Sequence, residues 1–282
     1  MKKPLVFIAL LSFVCVSACV SLITGNGDIV TSERALSPFN NVKISQIAQV
    51  RYHSSKEYKA VISCDSNIEK YVEVQSSSHT LKIGLDNASV TYWNITFIVD
   101  IYSPEITGIS LSGSSRLELV DTLSVLSLKI KLSGDSKMEG ELRCEGSFNA
   151  DISGGSSLKT QGKSGAADIR LSGSSRLELV DTLSVPSLKI KLSGGSKMEG
   201  ELLCEGSFNA DISGGSSLKT QGKSGAADIR LSGSSRLELV DTLSVPSLKI
   251  KLSGGSKMEG KLLCEGSFDT DISGGSVLKI KS

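Results

Sequence analysis

From Ile109 to the end of the chain, apolar and polar residues alternate in short runs: "LKIKL" at 128–132, "FNADI" at 148–152, "ADIRL" at 167–171. Strict alternation places every second side chain on the same side of an extended backbone, so each run predicts a strand with one buried face. A Ser-Gly pair follows each run, and then a second alternating stretch such as "RLEL" at 116–119 or "SLK" at 157–159. No ten-residue helical spacing interrupts them, which disfavours a helical solenoid or a leucine-rich repeat.

The alternation is itself periodic. "LSGSSRLELVDTLSV" occurs word for word at 111–125, 171–185 and 231–245, and self-alignment gives a period of 60 residues. Residues 109–168 and 169–228 differ at four positions: Ser110/Arg170, Leu126/Pro186, Asp135/Gly195 and Arg143/Leu203. The third copy, 229–282, matches the second without change over its first 32 residues. Within each copy the corner glycine recurs at spacings of 21, 20 and 19, from Gly113 through Gly134, Gly154, Gly173, Gly194, Gly214, Gly233 and Gly254 to Gly274. Nine coils of about twenty residues, each built as strand, Ser-Gly corner, strand and longer corner, predict a solenoid. The fold class expected is all-β, a single-stranded parallel β-helix with an N-terminal β cap, right-handed by connection geometry.

That architecture makes further expectations. Leu132, Leu192 and Leu252, and likewise Phe148, Phe208 and Phe268, fall in interior columns. Nine coils at about 4.8 Å each give a rod roughly 40 Å long. Cys144, Cys204 and Cys264 occupy one repeat position, three coils or about 14 Å apart, too far for a disulfide. They are expected to be free and buried.

The first 108 residues are organised differently. Residues 25–108 hold all five tyrosines, Trp93 and both histidines. "NVKISQIAQVRYH", "YKAVISC", "YVEVQ", "HTLKIGL" and "ITFIVDIY" read as strands of a cap that covers the first edge of the stack. Upstream, Lys2 and Lys3 precede a short apolar run, "PLVFIALLSFVCV", that reads as an export signal, too short to cross a bilayer comfortably. It ends in Val16-Ser17-Ala18-Cys19, which resembles the lipobox of bacterial lipoproteins and makes Cys19 the expected lipidation site. The layout expected is a signal peptide over 1–18, a lipid-anchored tether over 19–24, the cap over 25–108 and the repeats over 109–282. Anchored by several acyl chains on Cys19, the protein would be held stably at a membrane.

Two stretches carry a family resemblance. "GNGDIVTSERALSPFNNV" holds Gly25, Gly27, Arg34, Leu36, Phe39 and Val42; "VDIYSPEITGISLSGSS" holds Val99, Ile101, Pro104, Ile106 and Ile109 and leads into the Ser-Gly ladder. Together they resemble the head-GIN domain, an auto-transporter adhesin domain of unknown function. The resemblance spans nearly all of the chain beyond Cys19. It implies a β-helical cell-envelope protein of Bacteroidetes-like bacteria, and it carries over no catalytic residue. The near-identical 60-residue copies depart from the family pattern.

Charge and candidate chemistry narrow the function. With 31 basic and 30 acidic residues, no field for nucleic acid is expected. The acidic candidates Asp121/Asp181/Asp241 and Asp151/Asp211/Asp271 come in threefold series, whereas catalysis needs one singular cluster. His53 and His79 sit in polar stretches and are expected to be solvated. "DISGGSSLK" lacks the spacing of a calcium-binding β-roll, so neither a metal nor a cofactor is expected. Asp-Thr-Leu at 121–123, 181–183 and 241–243 resembles the Asp-Ser/Thr-aliphatic O-glycosylation sequon of Bacteroidetes, which points to Thr122, Thr182 and Thr242; the competing reading is a corner held by local hydrogen bonds. Tyr92 and Trp93 are the candidate aromatic platform for a ligand, against simple packing of the cap. "VLKIKS" closes the sequence on a strand, an open edge guarded by Lys279 and Lys281 or paired with another molecule.

The function expected is a non-enzymatic, adhesin-like or surface-binding envelope lipoprotein at the outer membrane, with a host or envelope glycan or protein as partner. Two alternatives stand beside it: a periplasm-facing structural lipoprotein and a carbohydrate-active β-helix enzyme. "VSLITG" after Cys19 lacks the acidic run of many surface-displayed lipoproteins, which favours the periplasmic side.

Overall fold

The structure, a computed structural model, describes residues 21–86 and 90–281. The nine coils form a parallel β-solenoid, in which the first eight coils contribute to three stacked ladders around a single apolar core and the ninth to the first two. The first ladder holds the strands before the Ser-Gly corner, for example Leu128–Leu132 on Phe148–Ile152. The second holds those after it, such as Arg116–Glu118 on Lys137–Glu139. The third ladder begins at Leu123–Val125, which pairs with Leu142–Cys144. It lies inside what the sequence pattern marks only as the longer corner, because a three-residue strand shows barely one period of alternation.

The expected columns form. Leu111, Leu132, Ile152, Leu171, Leu192, Ile212, Leu231 and Leu252 pair in series, each at most 2% exposed. Phe148 stacks between Leu128 and Ala167, and Phe208 between Leu188 and Ala227, so a small residue follows each ring and makes room for it. Phe268 departs from the expectation: it is 48% exposed, because it lies in the last coil and has a neighbour on one side only.

The Ser-Gly corners stack as a column of backbone. At Gly134 φ is +74°, and a β-carbon there would lie 2.7 Å from the Gly113 carbonyl oxygen, so conformation and close approach both demand glycine. Two residues on, a serine points inward in every coil from Ser115 to Ser256, nearly or fully buried. Apart from Ser235, whose buried hydroxyl has no partner, these hydroxyls bond to the preceding coil or to one another, as in Ser175 Oγ to the Ile152 carbonyl (3.1 Å) and Ser136 to Ser156 (3.2 Å). The inward column thereby satisfies polar groups that would otherwise be costly to bury.

The N-terminal cap contains β1 (Ser21–Thr24), β2 (Ile29–Ala35), β3 (Asn41–Ile44), β4 (Gln49–Ser54), β5 (Lys59–Asp65), β6 (Val72–Ser77), β7 (Thr80–Leu85), β8 (Val90–Trp93) and β9 (Phe97–Ser103). β3 and β4 start the first and second ladders by pairing with Gly108–Leu111 and Arg116–Leu119. β7 lies parallel on β3, and β6 returns antiparallel through a two-residue turn at Ser78–His79, both at positive φ. β9 lies parallel on β4, and β5 and β2 add antiparallel strands beyond it. Parallel stacking thus ends in ordinary antiparallel pairing. β1 and β8 form a separate two-stranded parallel sheet, so residues 21–24, expected within the tether, belong to the folded cap.

Gln46 tops the glycine column at φ +63°. Its side-chain amide donates to the Leu85 carbonyl (2.6 Å) and accepts from the Leu85 N–H, tying the uppermost corner to the end of β7. Asp65 is 2% exposed and accepts from the backbone N–H groups of Gly27 and Thr96, each at 2.6 Å. That carboxylate pins the "GNG" segment to the cap.

Candidate binding face

Because coils stack in register, each outward position of a strand becomes a row of side chains along the rod. On the first ladder two such rows run side by side. One reads Lys129, Asn149, Asp168, Lys189, Asn209, Asp228, Lys249, Asp269; the other Lys131, Asp151, Arg170, Lys191, Asp211, Arg230, Lys251, Asp271. Lys43 and Lys82 continue the second row upward through Ser110. A groove of about 680 Å³ lies along this face, lined among others by Asp151, Arg170, Lys189, Lys191, Asn209, Asp211 and Arg230. A second of about 390 Å³ adjoins it at Lys129, Lys131, Asn149 and Asp168.

Charges here are only partly neutralised. Arg170 pairs with Asp168 at 2.7 Å and Arg230 with Asp228 at 2.5 Å. In both aspartates the other carboxylate oxygen, Oδ1, is buried without a partner. Lys251 pairs with Asp271 at 3.0 Å and Lys249 with Asp269 at 3.9 Å, so the last coil, where Asp269 replaces asparagine, neutralises the lysines of the coil before it. The equivalent lysines of the earlier coils, Lys129, Lys131, Lys189 and Lys191, have no carboxylate within 4 Å among the described residues. The face therefore offers amide, carboxylate and cationic groups, free to bond outward, at a spacing of three coils.

A polar cluster that does not repeat sits at the top of the second ladder. Asp100 on β9 takes Arg51 at 2.6 Å and His53 at 2.9 Å, both from β4. The His53 ring stacks on Tyr102 (4.8 Å between centroids), over which Lys59 also lies at 5.2 Å. Burial opposes the charge on Asp100, but the hydrogen bonds from Arg51 and His53 outweigh it and hold its carboxyl below the usual carboxylate range. His53 is therefore corrected from solvated to paired and stacked; its partners lie almost 50 residues away, beyond any local pattern. His79 is exposed, in the hairpin turn between β6 and β7.

The other sequence candidates fall as follows. Thr122, Thr182 and Thr242 sit half-buried at the corner between second and third ladders. Asp181 and Asp241 each accept from the N–H of the following threonine at 2.7 Å, the local hydrogen bond of a corner, whereas Asp121 accepts from the distant Ser54 N–H of the cap at 3.0 Å. Tyr92 packs its ring edge-on to Tyr71 and donates to the Asp86 carbonyl, whereas Trp93 is 67% exposed. Cys64, Cys144 and Cys204 are free and buried, and Cys264, in the last coil, is free and half-buried. Burial pushes the Cys64 and Cys204 thiols up. Cys19 lies outside the described residues. The paired rows of the first ladder are not legible as a site in the sequence: each run supplies only two outward residues, and their alignment needs the coil register.

The model of the family described as "Putative auto-transporter adhesin, head GIN domain" matches residues 38–199 and 167–282. The chain belongs to this family. Among solved structures, the head-GIN chain is similar to a "putative adhesin" from Bacteroides fragilis, with 16% identity over 92% of this chain and 100% of the other, TM-score 0.60. A "putative adhesin" from Parabacteroides merdae shows 16% identity over 93% and 100%, TM-score 0.55. A "Putative lipid binding protein" from Parabacteroides distasonis shows 18% identity over 93% and 100%, TM-score 0.54. At these identities the likeness shows a shared fold. No curated protein matches the chain.

Proposed function

We propose that the protein is a non-enzymatic, lipid-anchored adhesin-like rod of the cell envelope, and that the grooved first ladder is its binding face. The observation that carries the reading is the recurrence of one polar array along the rod. Asn149 and Asp151 recur as Asn209 and Asp211, Lys129 and Lys131 as Lys189 and Lys191, three coils or about 14 Å apart. A repeating array of donors and acceptors suits an extended partner that is itself repetitive, such as a glycan chain. Family membership supports the adhesin-like role. The threefold series of acidic residues supports a binding role over catalysis, which concentrates its groups at one place.

Protease shaving of intact cells, followed with an antibody to the repeats and a periplasmic control protein, tests surface display. Loss of the repeat signal with the control intact is expected. Full protection until the cells are lysed would overturn adhesion and put the periplasm-facing structural lipoprotein in its place, the reading favoured by the absence of acidic residues in "VSLITG".

A further inference from the structure

The small sheet of β1 and β8 presents two faces of opposite character. Ile23 and Tyr92, paired across the sheet, pack against the core. On the other side, Leu22 and Thr91 are paired, as are Thr24 and Trp93, and all four side chains are exposed. Leu22 is 64% exposed and Trp93 67%. A bulky aliphatic residue and an indole, flanked by two threonines and carrying no charge, make an unusual outward surface for the end of a soluble rod.

Chain connectivity says what lies against it. Ser21, the first residue of β1, follows Cys19 by two residues, a reach of at most about 7 Å even when fully extended. A cysteine acylated at that position has its chains in the bilayer and its backbone at the headgroups. β1 therefore starts within that distance of the membrane surface, with no spacer between anchor and folded cap. Tryptophan is the residue most at home at that depth, its ring apolar and its N–H able to reach water or headgroups.

We infer that the Leu22/Thr24/Thr91/Trp93 face of the β1–β8 sheet docks on the lipid bilayer, a second contact besides the acyl anchor, which fixes the cap on the membrane. The inference rests on lipidation of Cys19 and is independent of what the first ladder binds.

Trp93 is the chain's single tryptophan, so its fluorescence reports on this face alone. The full chain, made with its leader in a host that acylates lipoproteins, is reconstituted into phosphatidylcholine vesicles containing lipid brominated on the acyl chains. The expected result is a blue-shifted emission that loses more than about half its intensity to the brominated lipid and is shielded from iodide. Leu22→Asp, which still floats with the vesicles through its acyl chains, should recover most of that intensity. Protein that floats with the vesicles but shows an iodide-accessible, bromolipid-insensitive Trp93 would overturn the docking. Failure to float at all would remove the anchor and the docking with it. Neither result bears on adhesion, which the shaving experiment decides separately.

Discussion

At the scale of single residues, the corners explain why so many positions admit one amino acid. A β-carbon at Gly154 would lie 2.5 Å from the Gly134 carbonyl oxygen, on a backbone at φ +70°. At Gly195 the nearest atom to such a carbon is 3.8 Å away, φ is ordinary, and the first copy already carries Asp135 there. Gly154→Ala should therefore lose at least about 1–3 kcal/mol from backbone strain alone, lowering the denaturation midpoint. Gly195→Ala should stay within about 0.5 kcal/mol of the parent. Equal losses at the two sites would mean that the corners do not stack. The glycine column is legible in the sequence because its spacing repeats. Gln46 is not: it sits at the column's top as a non-glycine, and only the fold shows its amide bonded to Leu85. The Asp100 cluster was hidden for the same reason, since Arg51 and His53 meet it through pairing of β4 with β9.

At the scale of elements, alternation predicts which face of a strand is buried, but not how completely. Phe208 and Phe268 occupy the same repeat position, yet the first is 2% exposed and the second 48%. The difference is the neighbouring coil: Ala227 pairs beneath Phe208. Phe208→Ala should cost about 3–5 kcal/mol, the usual loss for an aromatic ring removed from a core, whereas Phe268→Ala should cost a fraction of that. Chemical denaturation of the two variants side by side measures the difference, and similar losses would show that the last coil is covered in solution. The five strand runs read from the cap sequence correspond to β3 with β4, β5, β6, β7 and β9. β1, β8 and the third ladder are not legible because each strand that opens them is only three or four residues long, and β2, though seven residues long, because its inward positions Val30, Ser32 and Arg34 are mostly polar.

At the scale of the whole molecule, stability is built from contacts between adjacent coils, so length is a variable that the fold tolerates. The copies are in register with themselves: Asp168 precedes Ile169, and Asp228 precedes Ile229, at the same point of the same coil. Excising residues 169–228 joins Asp168 to Ile229 and recreates a junction the chain already contains. Three coils leave together, so every glycine corner, buried serine and apolar column finds the neighbour type it had before, and the cap above is untouched. Such a protein should fold with the same circular dichroism per residue, and its longest dimension by small-angle scattering should shorten by about 14 Å. Excising 169–198 instead removes half as many residues but not a whole number of coils. It joins Asp168, in the first ladder, to Glu199, in the second, and forces the wrong strand onto each ladder below. That variant should fail to give soluble rods. If both deletions behaved alike, register between coils would not be what holds the solenoid together; if only the 60-residue excision folds, the copy is the unit by which this rod can grow, and its binding rows lengthen with it.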